Sequence, residues 1–93
     1  MNLQAPHPLL SVQASVIEEF LVVIAAYINV CHRRGFEPKL SREDLDDIVR
    51  FCDLYPGGWQ RAIEVAFSRV GNSCAGARDQ MVARYAQGRG AMA

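Results

Sequence analysis

The stretch 20-FLVVIAAYINVC-31 decides how this chain folds, because its twelve residues are apolar except for Asn29 and can be read in two ways. Its β-branched residues would suit a buried strand. It runs well past the five or six residues of a typical strand, however, and shows no polar alternation. Neither glycine nor proline occurs from Ser11 to Arg34, and Gly35 follows where a helix end takes a left-handed residue. The stretch is therefore the middle of one long helix that starts at Ser11, or at Ser15, where Ser15 and Glu18 make a capping-box pattern.

Within that helix Ile17, Phe20, Ile24, Ile28 and Cys31 step by three or four and form one apolar stripe. Val16, Val23 and Val30, a heptad apart, form a second stripe beside it, and Leu21 and Tyr27 widen the band. An arc this wide is more than one layer of short helices covers. The helix is expected to be a central spine, or to meet its own copy in a homodimer. The apolar run is shorter than the roughly 20 residues that cross a bilayer. Glu18 and Glu19 also stand where an export signal carries positive charge. A cytoplasmic protein without membrane contact is expected.

Downstream, 38-PKLSREDLDDIVRFC-52 carries the clearest start signal: Ser41 as N-cap, Asp44 as the box acid, and Leu40 with Leu45 as a hydrophobic staple. Leu45, Ile48, Val49 and Cys52 face inward until Pro56 stops the helix. The turn 53-DLYPGGWQRA-62 leads into a third helix whose inner face is Trp59, Ala62, Ile63, Ala66, Phe67 and Val70, closed by Gly71. Asn72 and Ser73 can cap a short fourth helix in which Cys74, Ala77, Met81 and Tyr85 share a face. Gly76 weakens it and Gly88 ends it. Pro6 and Pro8 mark residues 1–10 as an extended arm, and 88–93 reads as a frayed tail. The whole, 1–93, is one small all-α domain: a long N-terminal helix, two amphipathic helices and a short C-terminal one, expected to be dimeric.

Composition narrows the function. The formal net charge of zero argues against a generic nucleic-acid binder. It hides a segregation, with residues 37–53 rich in acid and residues 55–93 carrying arginine at 61, 69, 78, 84 and 89. The three cysteines, Cys31, Cys52 and Cys74, form no C-x-x-C pair and fit a reducing compartment. With His32 they lack the short ligand spacing of a metal site, so no metal or cofactor is expected. Cys74, in 71-GNSCAG-76, would sit at a helix start that can lower a thiol pKa, but it lacks a nearby histidine in sequence. The acidic clusters fall on helix faces without a cleft, and no glycine cluster follows a strand as a nucleotide loop would.

What is left is work done by binding. The expected function is that of a small non-enzymatic regulatory protein that binds and occludes a larger protein, as an inhibitor, antiactivator or adaptor does, for example on a transcriptional regulator. Val16, Phe20, Val23 and Tyr27 on the long helix are its candidate contacts, with Tyr55 and Trp59 as aromatic anchors. The alternative is a helix-turn-helix-like DNA-binding regulator whose reading helix starts at Trp59 and presents Gln60, Arg61 and Arg69. The acidic helix before it opposes that alternative, because it would approach phosphates.

Overall fold

The computed structural model describes the backbone of residues 6–92 and the side chains of residues 13–90. Among them are four helices and no strand: α1 (Pro6–Arg34), α2 (Arg42–Leu54), α3 (Trp59–Ser68) and α4 (Ala75–Met92). The long apolar stretch is helical throughout, which settles the choice posed by residues 20–31. α1 packs chiefly against α3 and α4, and α2 against α4. The resulting slab measures 53 × 32 × 17 Å, thin enough that no helix is wrapped on every side.

The start signal of α2 and the inner faces of α2 and α3 hold, except that Val70 lies past the end of α3. Asp44 N–H donates to Ser41 Oγ (3.0 Å) and Ser41 N–H to Asp44 Oδ2 (3.1 Å), which closes the capping box. Leu45, Ile48, Val49 and Cys52 are buried, as are Ala62, Ile63, Ala66 and Phe67 of α3. Between the two helices Gly58 N–H donates to Tyr55 C=O (3.0 Å), closing a β-turn with Pro56 and Gly57 at its centre. Gly57 lies at φ +100°, the value a type II turn demands of its third residue and the reason glycine stands there.

Four boundaries differ from the sequence reading. α1 begins at Pro6, so residues 6–10 of the expected arm are helical, while 1–5 lie outside the described residues. Proline suits a first helical turn because the N–H groups it lacks have no partner there anyway. The Ser15–Glu18 pattern consequently falls inside a helix and does not start one. Gly71 does not end α3, which stops at Ser68. Asn72 and Ser73 do not cap α4 either: Asn72 takes a left-handed backbone (φ 58°), and Ser73 Oγ donates back to Phe67 C=O (3.2 Å).

The fourth difference concerns the end of the chain. α4 is 18 residues long, not short, and it passes through Gly88 and Gly90, so 88–92 is no frayed tail. Gly88 is buried where α4 crosses α2. A Cβ there would lie 2.8 Å from Val49 Cγ2 and 2.9 Å from Leu45 C=O. The glycine is present for close approach of two helices and not to stop one.

Ile17, Leu21, Ala25 and Ile28 form the buried line of α1, joined by Ala77, Met81 and Tyr85 of α4. The core therefore uses a stripe rotated from the expected one, leaving Phe20 and Ile24 at its edge. Ala25, fully buried, is the small residue on this line. Asn29, also buried, donates through Nδ2 to Asn72 C=O (3.3 Å) and accepts from Cys74 Sγ (3.8 Å), pinning the α3–α4 loop to α1.

The Gly88 contact gives a direct test. Gly88→Ala is expected to cost about 1–3 kcal/mol in chemical denaturation, because the backbone of Leu45 cannot yield as a side chain would. Gly90→Ala, which meets open space on the same helix, should be neutral or gain up to about 1 kcal/mol. Equal effects at the two positions would refute the close-approach role.

Candidate functional site

α1 shows solvent a line of apolar side chains on the flank away from its buried stripe. Val16 is 55% exposed, Val23 66% and Val30 46%. Tyr27 is exposed beside them, its Oη accepting from Lys39 N–H (2.9 Å), and Phe20, half-buried, leans on Phe51 with ring centroids 4.8 Å apart. The five positions alternate steps of four and three, the spacing of a helix–helix seam. Gln13 and Arg34 occupy the next positions of that spacing at its two ends, and none of the five positions between them is charged, while exposed Glu19, paired with Arg69, borders the line beside Val16 and Val23.

Two further exposed apolar residues adjoin the seam's ends. Leu54, at the end of α2, lines a groove of about 280 Å³ with Gln13, Val16, Ile17 and Phe51. Phe36 lies just past the other end, its N–H donating to Cys31 C=O (2.8 Å). Neither was singled out from the sequence. Leu54 falls outside the α2 stripe of 45, 48, 49 and 52, and Phe36 sits in a connection where periodicity says nothing. Val30 was legible as the third member of the valine heptad.

The structure brings Val16, Phe20, Val23 and Tyr27 together and separates them from Tyr55 and Trp59. Tyr55 is buried, and its hydroxyl donates to Glu18 Oε2, while Glu18 Oε1 pairs with Arg69 at the C-terminal end of α3. Trp59 stacks on Tyr85 at 4.7 Å between centroids, closing the α3–α4 seam. Tyr55 is therefore a core residue, and Trp59 is half-buried packing remote from the valine line. Of the residues in the DNA-binding alternative, Gln60 and Arg61 are exposed, with the Arg61 side chain folded over Gly57. Arg69 is engaged by Glu18 (3.5 Å) and Glu19 (3.0 Å).

A second polar cluster joins Tyr85, Asp53 and Arg89: the tyrosine hydroxyl and the guanidinium both donate to the Asp53 carboxylate. Burial, the hydrogen bond and the Asp53 charge push Tyr85 up to about 12. Burial and Glu18 push Tyr55 up in the same way. Both tyrosines are neutral donors at ordinary pH and serve as clamps between helices. Burial, followed by the Asp53 charge, raises the Cys52 thiol to about 12, which makes it a poor nucleophile. The Cys74 thiol is turned to Asn29, and His32 sits over Gly76 with Nδ1 3.2 Å from Gln80 Nε2. Among the described residues no three His, Cys, Asp or Glu side chains converge as metal ligands.

One expectation about α1 changes. Gln13–Arg34 is long and apolar enough to cross a membrane by length and composition, with a mean hydropathy of 1.8, whereas the run 20–31 alone is too short. A third of its apolar window is buried within the helical slab.

Comparison of the chain with protein-family models, with curated protein sequences and with solved structures finds no match in any of the three.

The tyrosine clamps set a pH window. An unfolded tyrosine titrates near 10, and Tyr85 holds its proton to about 12, so the fold binds that proton more tightly than the unfolded chain does. The stabilisation is complete below pH 10 and is lost as pH rises through about 12. Urea midpoints should fall across that window in the wild type and fall less steeply in Tyr85→Phe. Parallel slopes for the two proteins would exclude the Asp53 clamp as their cause.

Proposed function

We propose that this chain is a small non-enzymatic regulatory protein that binds a larger protein through the exposed seam of α1 and occludes the surface it covers. One observation carries the reading: Val16, Val23 and Val30 stand in solvent in a heptad line on a helix whose opposite face is committed to the core. Helix-in-groove recognition needs such a line, presented rigidly at i, i+4 and i+7. α1 supplies it at little ordering cost, because its buried stripe already fixes the helix.

The two clusters of ionisable side chains tie helices together, and that supports binding over catalysis. Engagement of Arg69 by Glu18 and Glu19 weighs against a phosphate-reading role for α3. The polar residues of the long apolar segment have uses inside the fold: Glu18 holds Tyr55, Glu19 holds Arg69 and Asn29 holds the α3–α4 loop. This favours a core helix over a membrane span. A cytoplasmic setting accords with three unpaired thiols, two of them buried. The homodimer expected from the width of the apolar arc would use the same face.

Val23→Asp tests the reading. At this exposed site it should change stability by no more than about 0.5 kcal/mol. It should weaken by tenfold or more the capture of a partner that wild-type protein retains from its native cell. Retention by wild type should survive high salt, as apolar contact does. Equal capture by the variant, or tight salt-sensitive binding to duplex DNA, would overturn the proposal.

A further inference from the structure

We infer that the seam of α1 is self-complementary and that its occupant, before any other protein is met, is a second copy of this chain lying antiparallel about a two-fold axis at Val23. The inference rests on the seam being a protein-binding face and names what covers it. Read in order, Val16, Phe20, Val23, Tyr27 and Val30 run valine, aromatic, valine, aromatic, valine. An antiparallel copy therefore sets Val16 against Val30 of the second copy, Phe20 against its Tyr27, and Val23 against its own equivalent. Every row places an aromatic against an aromatic or a valine against a valine, as an isologous interface requires of one patch meeting itself.

Charge selects the direction. The last turn of α1 holds His32, Arg33 and Arg34, while Glu18 and Glu19 lie in its N-terminal half. A parallel pair would set these basic ends side by side and align the two helix dipoles. The antiparallel pair separates the basic ends and opposes the dipoles. With a net charge of zero, no overall repulsion resists the pairing.

The remaining exposed apolar residues fit the same arrangement. Leu54 adjoins the Val16 end of the seam and Phe36 lies beyond the Val30 end. The antiparallel pairing sets the Leu54 end of each copy beside the Phe36 end of the other. Size bounds the strength. The seam spans about 21 Å along a helix roughly 10 Å wide. Its footprint is well under the ~800 Å² that each partner gives to a standard stable interface. The dimer is expected to be weak and to dissociate in the micromolar range, so that a tighter-binding target displaces it.

Sedimentation velocity on the wild-type chain, from roughly 1 to 500 µM, should show a reversible monomer–dimer equilibrium. Val23→Asp and Val23→Lys should each weaken it at least tenfold, because each variant sets like charges face to face on the axis. An equimolar mixture of the two should restore dimer. Direction is read by disulfide trapping in a Cys74→Ser background, which keeps a hydroxyl donor for Asn29. Val16→Cys mixed with Val30→Cys should cross-link, and Val16→Cys alone should not. Cross-linking of Val16→Cys with itself would overturn the antiparallel arrangement. A wild-type monomer at every concentration would overturn self-pairing. If such a monomer still captured a partner that Val23→Asp loses, the proposed function would survive that failure. Uptake onto neutral phosphatidylcholine vesicles by a chain that stays monomeric would overturn self-pairing in favour of a lipid surface.

Discussion

The structure depends on one constraint: α1 is apolar around more of its circumference than its three partner helices can cover. At 29 residues it is about 43 Å long, against 13, 10 and 18 residues for the helices laid on it. The slab they form is 17 Å thin, room for two helix layers. Covering Ile17, Leu21, Ala25 and Ile28 leaves Val16, Val23 and Val30 in water by geometry alone. Burial gains about 25 cal/mol per Å² of apolar surface, a gain this line leaves unrealised within the single chain. The chain nevertheless places no charged residue at the five seam positions from Val16 to Val30, and Glu19, at the seam's border, is paired with Arg69.

The polar contacts fix how the helices meet around that spine. Glu18 takes the Tyr55 hydroxyl from the end of α2, Asp53 takes Tyr85 from α4, and Asn29 holds the loop between α3 and α4. Each joins residues more than thirty positions apart, and each puts a polar group at the margin of the core where an unpaired one would be costly. Gly76 and Gly88 act alongside them by allowing α4 to pass close under His32 and across α2. Packing supplies the stability, and these contacts supply register.

This division explains what was legible in the sequence. The inner faces of α2 and α3 and the Ser41–Asp44 cap follow from neighbours within four residues, and each was readable from spacing alone. Gly88 was misread because a glycine that stops a helix and one that admits another helix look alike until Leu45 is placed above it. Tyr55 looked like an anchor because nothing near it in sequence announces Glu18. On α1 the two stripes were visible but not which was buried, since periodicity describes one helix while burial depends on the helices around it. The four α1 candidates, Val16, Phe20, Val23 and Tyr27, were legible as a line for the same reason that α2 was: their relation is local.

Charge gives the last step. The acid-rich middle and arginine-rich end could have been patches for a partner, yet Arg84 pairs with Glu37, Arg89 with Asp53, and Arg69 with Glu18 and Glu19. Exposed pairs of this kind contribute about 0–1 kcal/mol each, so they add little stability. What they do is neutralise, within one molecule, part of the charge segregation visible in the sequence. Pairing these charges at short range reduces the long-range steering that speeds charged associations. In the role proposed for the chain, recognition would fall to short-range apolar contact along the uncovered side of α1.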